Sequence, residues 1–335
     1  MTMKRIILTI GLCLAIANCI AQGATKKVLF IGNSYTSVND LPGLTQKVAR
    51  SMGDELTYES NTPGGCRFEQ HCTNQSMALI QQGIWDVVVL QEQSQLPSFP
   101  EWQVEQECFP YATRLVEAAY AANPNVEPMF YMTWGHKNGD PGNASEYPPL
   151  GTYEGMDSLL YERYMQMGRD NNASVCPVGR VWRNIRRNHR EIELYASDGS
   201  HPTMAGSYAA ACAFYTMIFH RNPSEIRYSA DLDETTAQII RNTVKEVVYD
   251  SLSFWQRQTS VSISQEEMPS ISIYPNPTTG KIVVTGCKKC DITIFDMQGR
   301  QVMQGQDDMS ALPSGIYVVS ISQPSGTTKC KVVKQ

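Results

Sequence analysis

Two short stretches hold residue types able to do covalent chemistry. In "KKVLFIGNSYTS", residues 26–37, four apolar residues from Val28 to Ile31 run directly into Gly32, Asn33 and Ser34. A buried strand ending there holds a hydroxyl at its carboxyl edge, where α/β sheets present functional groups. Such a serine can cap the following helix, sit in a phosphate-binding turn, or act as a nucleophile. The phosphate reading lacks the glycines and lysine of a P-loop. A nucleophile needs a base, and the base needs a group to orient it. Of the five histidines, His201 stands three residues after Asp198 in "SDGSHPTMAGSYAAACAFYTMIF", residues 197–219, just before a long helical stretch. Pro202 suits the first helical position, where its missing N–H costs nothing. The short span lets Asp198 reach Nδ1 of His201 while Nε2 faces outward. The competing reading of His201 is a helix cap near Asp198. Together the three residues could perform acyl transfer.

The surrounding pattern supplies elements to position them. "KVLFIG" precedes "LPGLTQKVARSM", where Leu41, Leu44, Val48 and Met52 recur at near-helical spacing. "DVVVLQ" (86–91) precedes a helix through "YATRLVEAAYAA", "EPMFYMTW" (127–134) is a third strand and "SVCPVG" (174–179) a fourth. This alternation predicts an α/β layer on a mainly parallel sheet, its strands covered on both faces. "RVWRNIRRNHR" (180–190) reads as the solvated face of a helix with Val181, Ile185 and Trp182 forming its apolar stripe.

The ends of the chain differ from its middle. Met1 to Ala21 has Lys4 and Arg5, an apolar run from Ile6 to Ile20 and small residues after it, the layout of a secretory signal peptide. Cys19 follows Asn18, a poor lipoprotein match, and no later stretch offers the ~20 apolar residues of a membrane span. Losing Lys4 and Arg5 with the leader takes the formal net charge from −5 to −7, which disfavours nucleic acid and anionic lipid as partners. Eight cysteines remain after that cut. Cys66 with Cys72 is the pair predicted by proximity, and the lone "CKKC" at 287–290 is a weak zinc signal better suited to a disulfide or structural thiols. Residues 22–255 form the predicted catalytic domain. Residues 256–270 turn polar and form a linker, and 271–335 hold short strands separated by Gly, Pro, Asp and Asn, predicting a small all-β sandwich. In "GIYVVSIS", Tyr317, Val319 and Ile321 share one face.

"FIGNSYT" and "DGSHPT" together resemble the first and last blocks of the SGNH (GDSL-like) hydrolase superfamily, across roughly residues 26–255. The order agrees: nucleophile after the first strand, Asp and His before the last helix. The resemblance implies a three-layer α/β/α, flavodoxin-like sheet, with Ser34 as nucleophile, His201 as base and Asp198 as orienter. It also implies an oxyanion hole from the Ser34 N–H, a glycine N–H and a carboxamide. Members usually have Asp where Asn33 stands. "NTPGGCRF" offers Gly65, or Gly64, and the strand-end "QEQSQ" offers Gln93, or Gln91, in place of the usual Asn; His136 or Asn138 in "WGHKNGD" are further alternatives. No cofactor or metal is implied. The tail is similar to the C-terminal sorting domain of type IX secretion, through "YPNPTTGKIVV" (274–284), "ITIFDMQGRQV" (292–302), "LPSGIYVVSI" (312–321) and "KVVKQ". That implies the type IX machinery as partner and a secreted or cell-surface location. The expected function is an esterase, with an acylated carbohydrate or other small ester as substrate. A broad lipase or arylesterase, and an inactive carbohydrate-binding surface protein, are the alternatives.

Overall fold

The computed structural model describes residues 23–257, 272–285, 290–296, 299–323 and 326–335. The expected signal peptide (1–21) and all but the first two residues of the expected linker (256–270) lie outside them. Contacts divide the chain into two compact units, Met1–Gln258 and Thr259–Gln335.

The first unit is built on five strands: β1 (Thr25–Ile31), β2 (Glu55–Asn61), β3 (Val87–Leu90), β4 (Glu127–Tyr131) and β5 (Ser174–Cys176). All pair in parallel, in the order β2-β1-β3-β4-β5. The continuous apolar runs "VLFI" and "VVVL" are fully buried, as expected for central strands with helices on both faces. β1 and β3 stand in register, Ile31 opposite Leu90, so both chains leave the sheet at one level. The connection reverses direction between β2 and β3 on either side of β1, which opens the crevice where such sheets carry their sites. Strand β2 escapes a reading by hydrophobic runs because it lies on the edge, with Leu56 its only buried residue.

Helices pack over the sheet and on one another. Leu41–Ser51 packs on Met204–Phe219, and Gln75–Ile80 packs on Phe109–Ala122. From Ala205 to Ile218 every residue of Met204–Phe219 is buried, the signature of a helix enclosed on all sides. Its Phe214 ring meets the Phe30 ring of β1 edge-on at 5.6 Å. Two details differ from expectation. Thr203, not a residue before Pro202, caps this helix, its Oγ1 accepting from Gly206 N at 3.3 Å; Pro202 instead pairs with Tyr195 in a short bridge. The helix is not the last, since Glu234–Val247 follows it. The helix Val178–Asn188 buries Val178, Val181, Trp182 and Ile185, the expected stripe.

The predicted Cys66–Cys72 disulfide does not form; both thiols are free. Six residues apart in sequence, they face different neighbours. Asn74 Nδ2 donates to Cys66 Sγ at 3.7 Å, while Cys72 Sγ donates to the Tyr111 carbonyl at 3.7 Å.

Among its described residues the second unit has two antiparallel sheets. One has four strands in the order β11-β10-β8-β9: β8 (Asp291–Phe295), β9 (Gln301–Gln304), β10 (Gly315–Gln323) and β11 (Gly326–Lys334). The other pairs β6 (Ser272–Tyr274) with β7 (Val283–Thr285). Tyr317, Val319 and Ile321 share one face and join Ile282, Ile294, Met309 and Val332 in its small core. Of the "CKKC" pair, Cys290 is disulfide-bonded and Cys287 lies outside the described residues.

Candidate active site

Ser34 is set by the turn before it. A Cβ on Gly32 would lie 2.5 Å from Thr36 Oγ1 and 2.6 Å from Gln91 Oε1, so any larger residue here would have to displace those two side chains. Asn33 caps the turn Ser34–Ser37, its Oδ1 accepting from Tyr35 N at 3.1 Å. The capping role considered for Ser34 thus belongs to its neighbour. Ser34 opens the turn, and its hydroxyl takes no part in the cap.

That hydroxyl faces the base. Ser34 Oγ lies 2.8 Å from His201 Nε2, and His201 Nδ1 lies 2.5 Å from Asp198 Oδ2. Asp198 Oδ1 also accepts from the backbone N–H groups of Ser200 and His201, at 2.9 and 3.0 Å. Burial raises the Asp198 carboxyl, but these two N–H groups and the imidazole outweigh it and hold the group down at about 2. A carboxylate in this position favours Nδ1–H on the ring, which leaves Nε2 free to accept the serine proton.

A supporting layer clamps the two turns together. The Tyr35 hydroxyl lies 2.6 Å from Ser200 Oγ, and Trp134 Nε1 donates to the Ser200 carbonyl at 3.0 Å. The Tyr35 ring stacks on Trp134 at 4.7 Å and meets His201 edge-on at 5.5 Å, limiting how far the imidazole can swing. Trp134 in turn stacks on Trp182 at 3.7 Å. Sequence reading missed Tyr35 and Trp134. Their adjacency to Ser34 and to "GHKNGD" was the available signal.

The oxyanion candidates separate. Among the described residues neither the Ser34 N–H nor the Gly65 N–H donates to another group, so both are open to a ligand. Gly65 has φ +67°, a left-handed conformation that favours glycine, and the Gly64 N–H is also undonated. Gln91 is excluded. It is fully buried, and its Nε2 donates to Asn33 Oδ1 at 2.9 Å and to the Glu92 carbonyl. Its role is to hold Asn33. Gln93 is partly exposed; its Oε1 accepts from Gln95 N and Leu96 N at 3.1 and 3.0 Å, while Nε2 rests on Gln95 Oε1 at 3.0 Å and Ser94 Oγ at 3.3 Å. His136 Nε2 is buried with no hydrogen-bond partner among the described residues. Burial, with some help from the His201 ring, keeps His136 below the ordinary histidine range although Asp140 and Asp198 pull it upward. Asn138 is exposed.

Between the two glutamines, Glu92 is fully buried. Its carboxyl accepts from Phe68 N at 3.1 Å and from Gln93 N at 2.6 Å, stitching the Gly64–Gly65 loop to the end of β3. Burial pushes the group up to about 8 against the pull of those N–H groups and Arg67. Among the described residues no group of three or more His, Cys, Asp or Glu is gathered to hold a metal ion, and no helix is long and apolar enough to cross a membrane.

Residues 272–335 match the family model of the secretion system C-terminal sorting domain. No curated protein matches the chain. The solved structures it resembles include a DUF4886 family protein from Bacteroides uniformis, 18% identical with a TM-score of 0.57, covering 69% of this chain and 95% of that one. This chain shares its fold. A protein assigned to the SGNH hydrolases from Slackia heliotrinireducens is 29% identical with a TM-score of 0.46, covering 57% of this chain and 97% of that one. A variant of an acetyl-xylooligosaccharide esterase from Geobacillus Stearmophilus is 17% identical with a TM-score of 0.42, covering 62% of this chain and 98% of that one.

Proposed function

We propose that the chain is an exported serine esterase that removes small acyl groups from carbohydrate. The observation that carries this reading is the hydrogen-bonded series Ser34 Oγ, His201 Nε2, His201 Nδ1, Asp198, at 2.8 and 2.5 Å. Ser34 attacks the ester carbonyl as His201 takes its proton. Asp198, ionised at any working pH, holds the ring and stabilises the imidazolium that forms. The free N–H groups of Ser34 and Gly65 stand ready for the oxyanion, with the Gln93 amide as third donor once it turns from Gln95. His201 returns the proton to the leaving alcohol, giving an acyl-enzyme. Water activated by the same imidazole then releases the acid.

The sorting tail supports type IX export to the cell surface or beyond it. A saccharide is favoured over a lipid because the groups around the site are polar and charged, notably Gln93, Gln95, His136, Lys137 and Asp140. The test is labelling by a fluorophosphonate together with hydrolysis of p-nitrophenyl acetate and acetylated xylan. Labelling that survives Ser34→Ala, or an unlabelled wild-type protein, would overturn the reading.

A further inference from the structure

A cleft of about 440 Å³ borders the turn that carries His201, and it is basic in a chain of formal net charge −5. Lys137, Arg186, Arg187 and Arg190 line it, against Glu154 and Glu193. Its walls are hydrogen-bonded to the backbone of the turn that carries His201. Lys137 N donates to the carbonyl of Gly199, between Asp198 and Ser200, at 2.8 Å. Thr203 Oγ1 donates to the Glu193 carbonyl at 2.8 Å, and Ala196 N to the His201 carbonyl at 2.8 Å. A ligand held here is therefore fixed relative to the base.

The cations fall into two kinds. On the helix Val178–Asn188, Arg180 and Arg183 both pair with the buried Asp157, at 3.3 and 2.8 Å. Lys137 pairs with Glu193 at 2.5 Å, and Arg186 is fixed by the Lys137 carbonyl at 2.7 Å and by the Tyr153 ring 4.2 Å away. Arg187 and Arg190 have no acidic or hydrogen-bonding partner among the described residues, and both are exposed. The helix packs through Val178, Val181, Trp182 and Ile185, so its core does not require arginine at position 187. A merely solvated face would spread its charges. Here Lys137, Arg186, Arg187 and Arg190 share one concavity, although Arg187 also reaches the neighbouring cleft lined by Arg180 and Arg183; four cations against two acids focus a positive field and attract anions.

We propose that this cleft is a subsite for the carboxylate of an acidic sugar, so that the glycans deacylated at Ser34 carry uronate residues. The guanidinium fork of arginine matches a carboxylate with two parallel hydrogen bonds, which a lysine cannot reproduce. The chemistry assigned to the bound glycan rests on the esterase reading; the binding does not.

Titration calorimetry of the full chain with trigalacturonate, which has no ester, tests the subsite directly. Saturable binding is expected, weakened at least ~10-fold by Arg187→Ala/Arg190→Ala and falling as salt screens the charges. Arg187→Lys/Arg190→Lys keeps the charge without the fork and should fall between. Neutral galactotriose should not bind. Lys47→Ala/Arg114→Ala removes the same charge from exposed positions elsewhere, and should change affinity less than ~2-fold if the cleft rather than net charge is read. Wild-type protein that ignores trigalacturonate at millimolar concentration would overturn the proposal. So would a double alanine variant that binds like wild type while melting at the same temperature, or an equal loss in the charge control. A chain that binds trigalacturonate but resists fluorophosphonate keeps the subsite and loses the esterase reading.

Discussion

The carboxamides of Asn33 and Gln91 are hydrogen-bonded to one another across two strand ends, Gln91 Nε2 donating to Asn33 Oδ1 at 2.9 Å. Gln91 Oε1 accepts from Asn33 N, also at 2.9 Å, and Asn33 Nδ2 donates to the Cys66 carbonyl at 3.1 Å. One asparagine therefore joins β1, β3 and the loop that carries Gly65. An aspartate, usual in the resembled superfamily, would set an oxygen against the Cys66 carbonyl.

Asn33→Asp should thus lower stability by about 1–3 kcal/mol, the cost of a buried polar group deprived of its partner. Chemical denaturation at neutral pH measures it. Unchanged stability would show that the Cys66 carbonyl finds another donor.

Ser34→Ala and His201→Ala should each lower kcat on p-nitrophenyl acetate by ~10⁴-fold or more, and the double variant should be little worse, because the residues act as one unit. Additive losses would argue that the two side chains work independently.

The two glutamines should behave differently. Gln93→Ala is expected to cost ~10²-fold or more in kcat with little change in melting temperature, as for loss of one oxyanion donor. Gln91→Ala should reduce melting temperature, because it strips Asn33 of its partner. If Gln93→Ala is silent, His136, whose Nε2 is buried and unpartnered among the described residues, becomes the next donor to test.

Glu92 predicts a pH dependence of stability. Its carboxyl is raised from 4.5 to about 8, so within that window the native chain keeps a proton the unfolded chain has released. Stability from this group is present below the window and declines as pH rises through it, by at most about 1.4 kcal/mol per pH unit. His71, held below its ordinary value chiefly by burial, works oppositely: it stays neutral where the unfolded ring is protonated, so its contribution is lost as pH falls. Unfolding curves of wild type and Glu92→Gln at matched pH cancel that effect. The variant should show the shallower decline between about pH 5 and 8; parallel curves would mean Glu92 is ionised in the fold.

What the sequence made legible follows from locality. β1 and β3 announce themselves as unbroken apolar runs, and Asp198 with His201 as a pair within one turn. β2 does not, because an edge strand with the pattern ELTYESN buries one residue and resembles a loop. The Gln91–Asn33 pairing joins residues 58 apart, and nothing local distinguishes Gln91 from Gln93. Cys66 and Cys72 misled for the converse reason: nearness along the chain says nothing of which way a side chain turns once the short helix Phe68–His71 lies between them.

Five free thiols, Cys66, Cys72, Cys108, Cys176 and Cys212, are sealed inside the first unit. A chain carrying a secretion sorting domain meets oxidants while its cysteines are still accessible, and its ten cysteines offer many wrong partners. Only closure of the core removes them from reach. For this protein, then, the yield of correctly made molecules depends on a race between burial and oxidation. The reductant present while it folds should matter more to recovery than any disulfide catalyst.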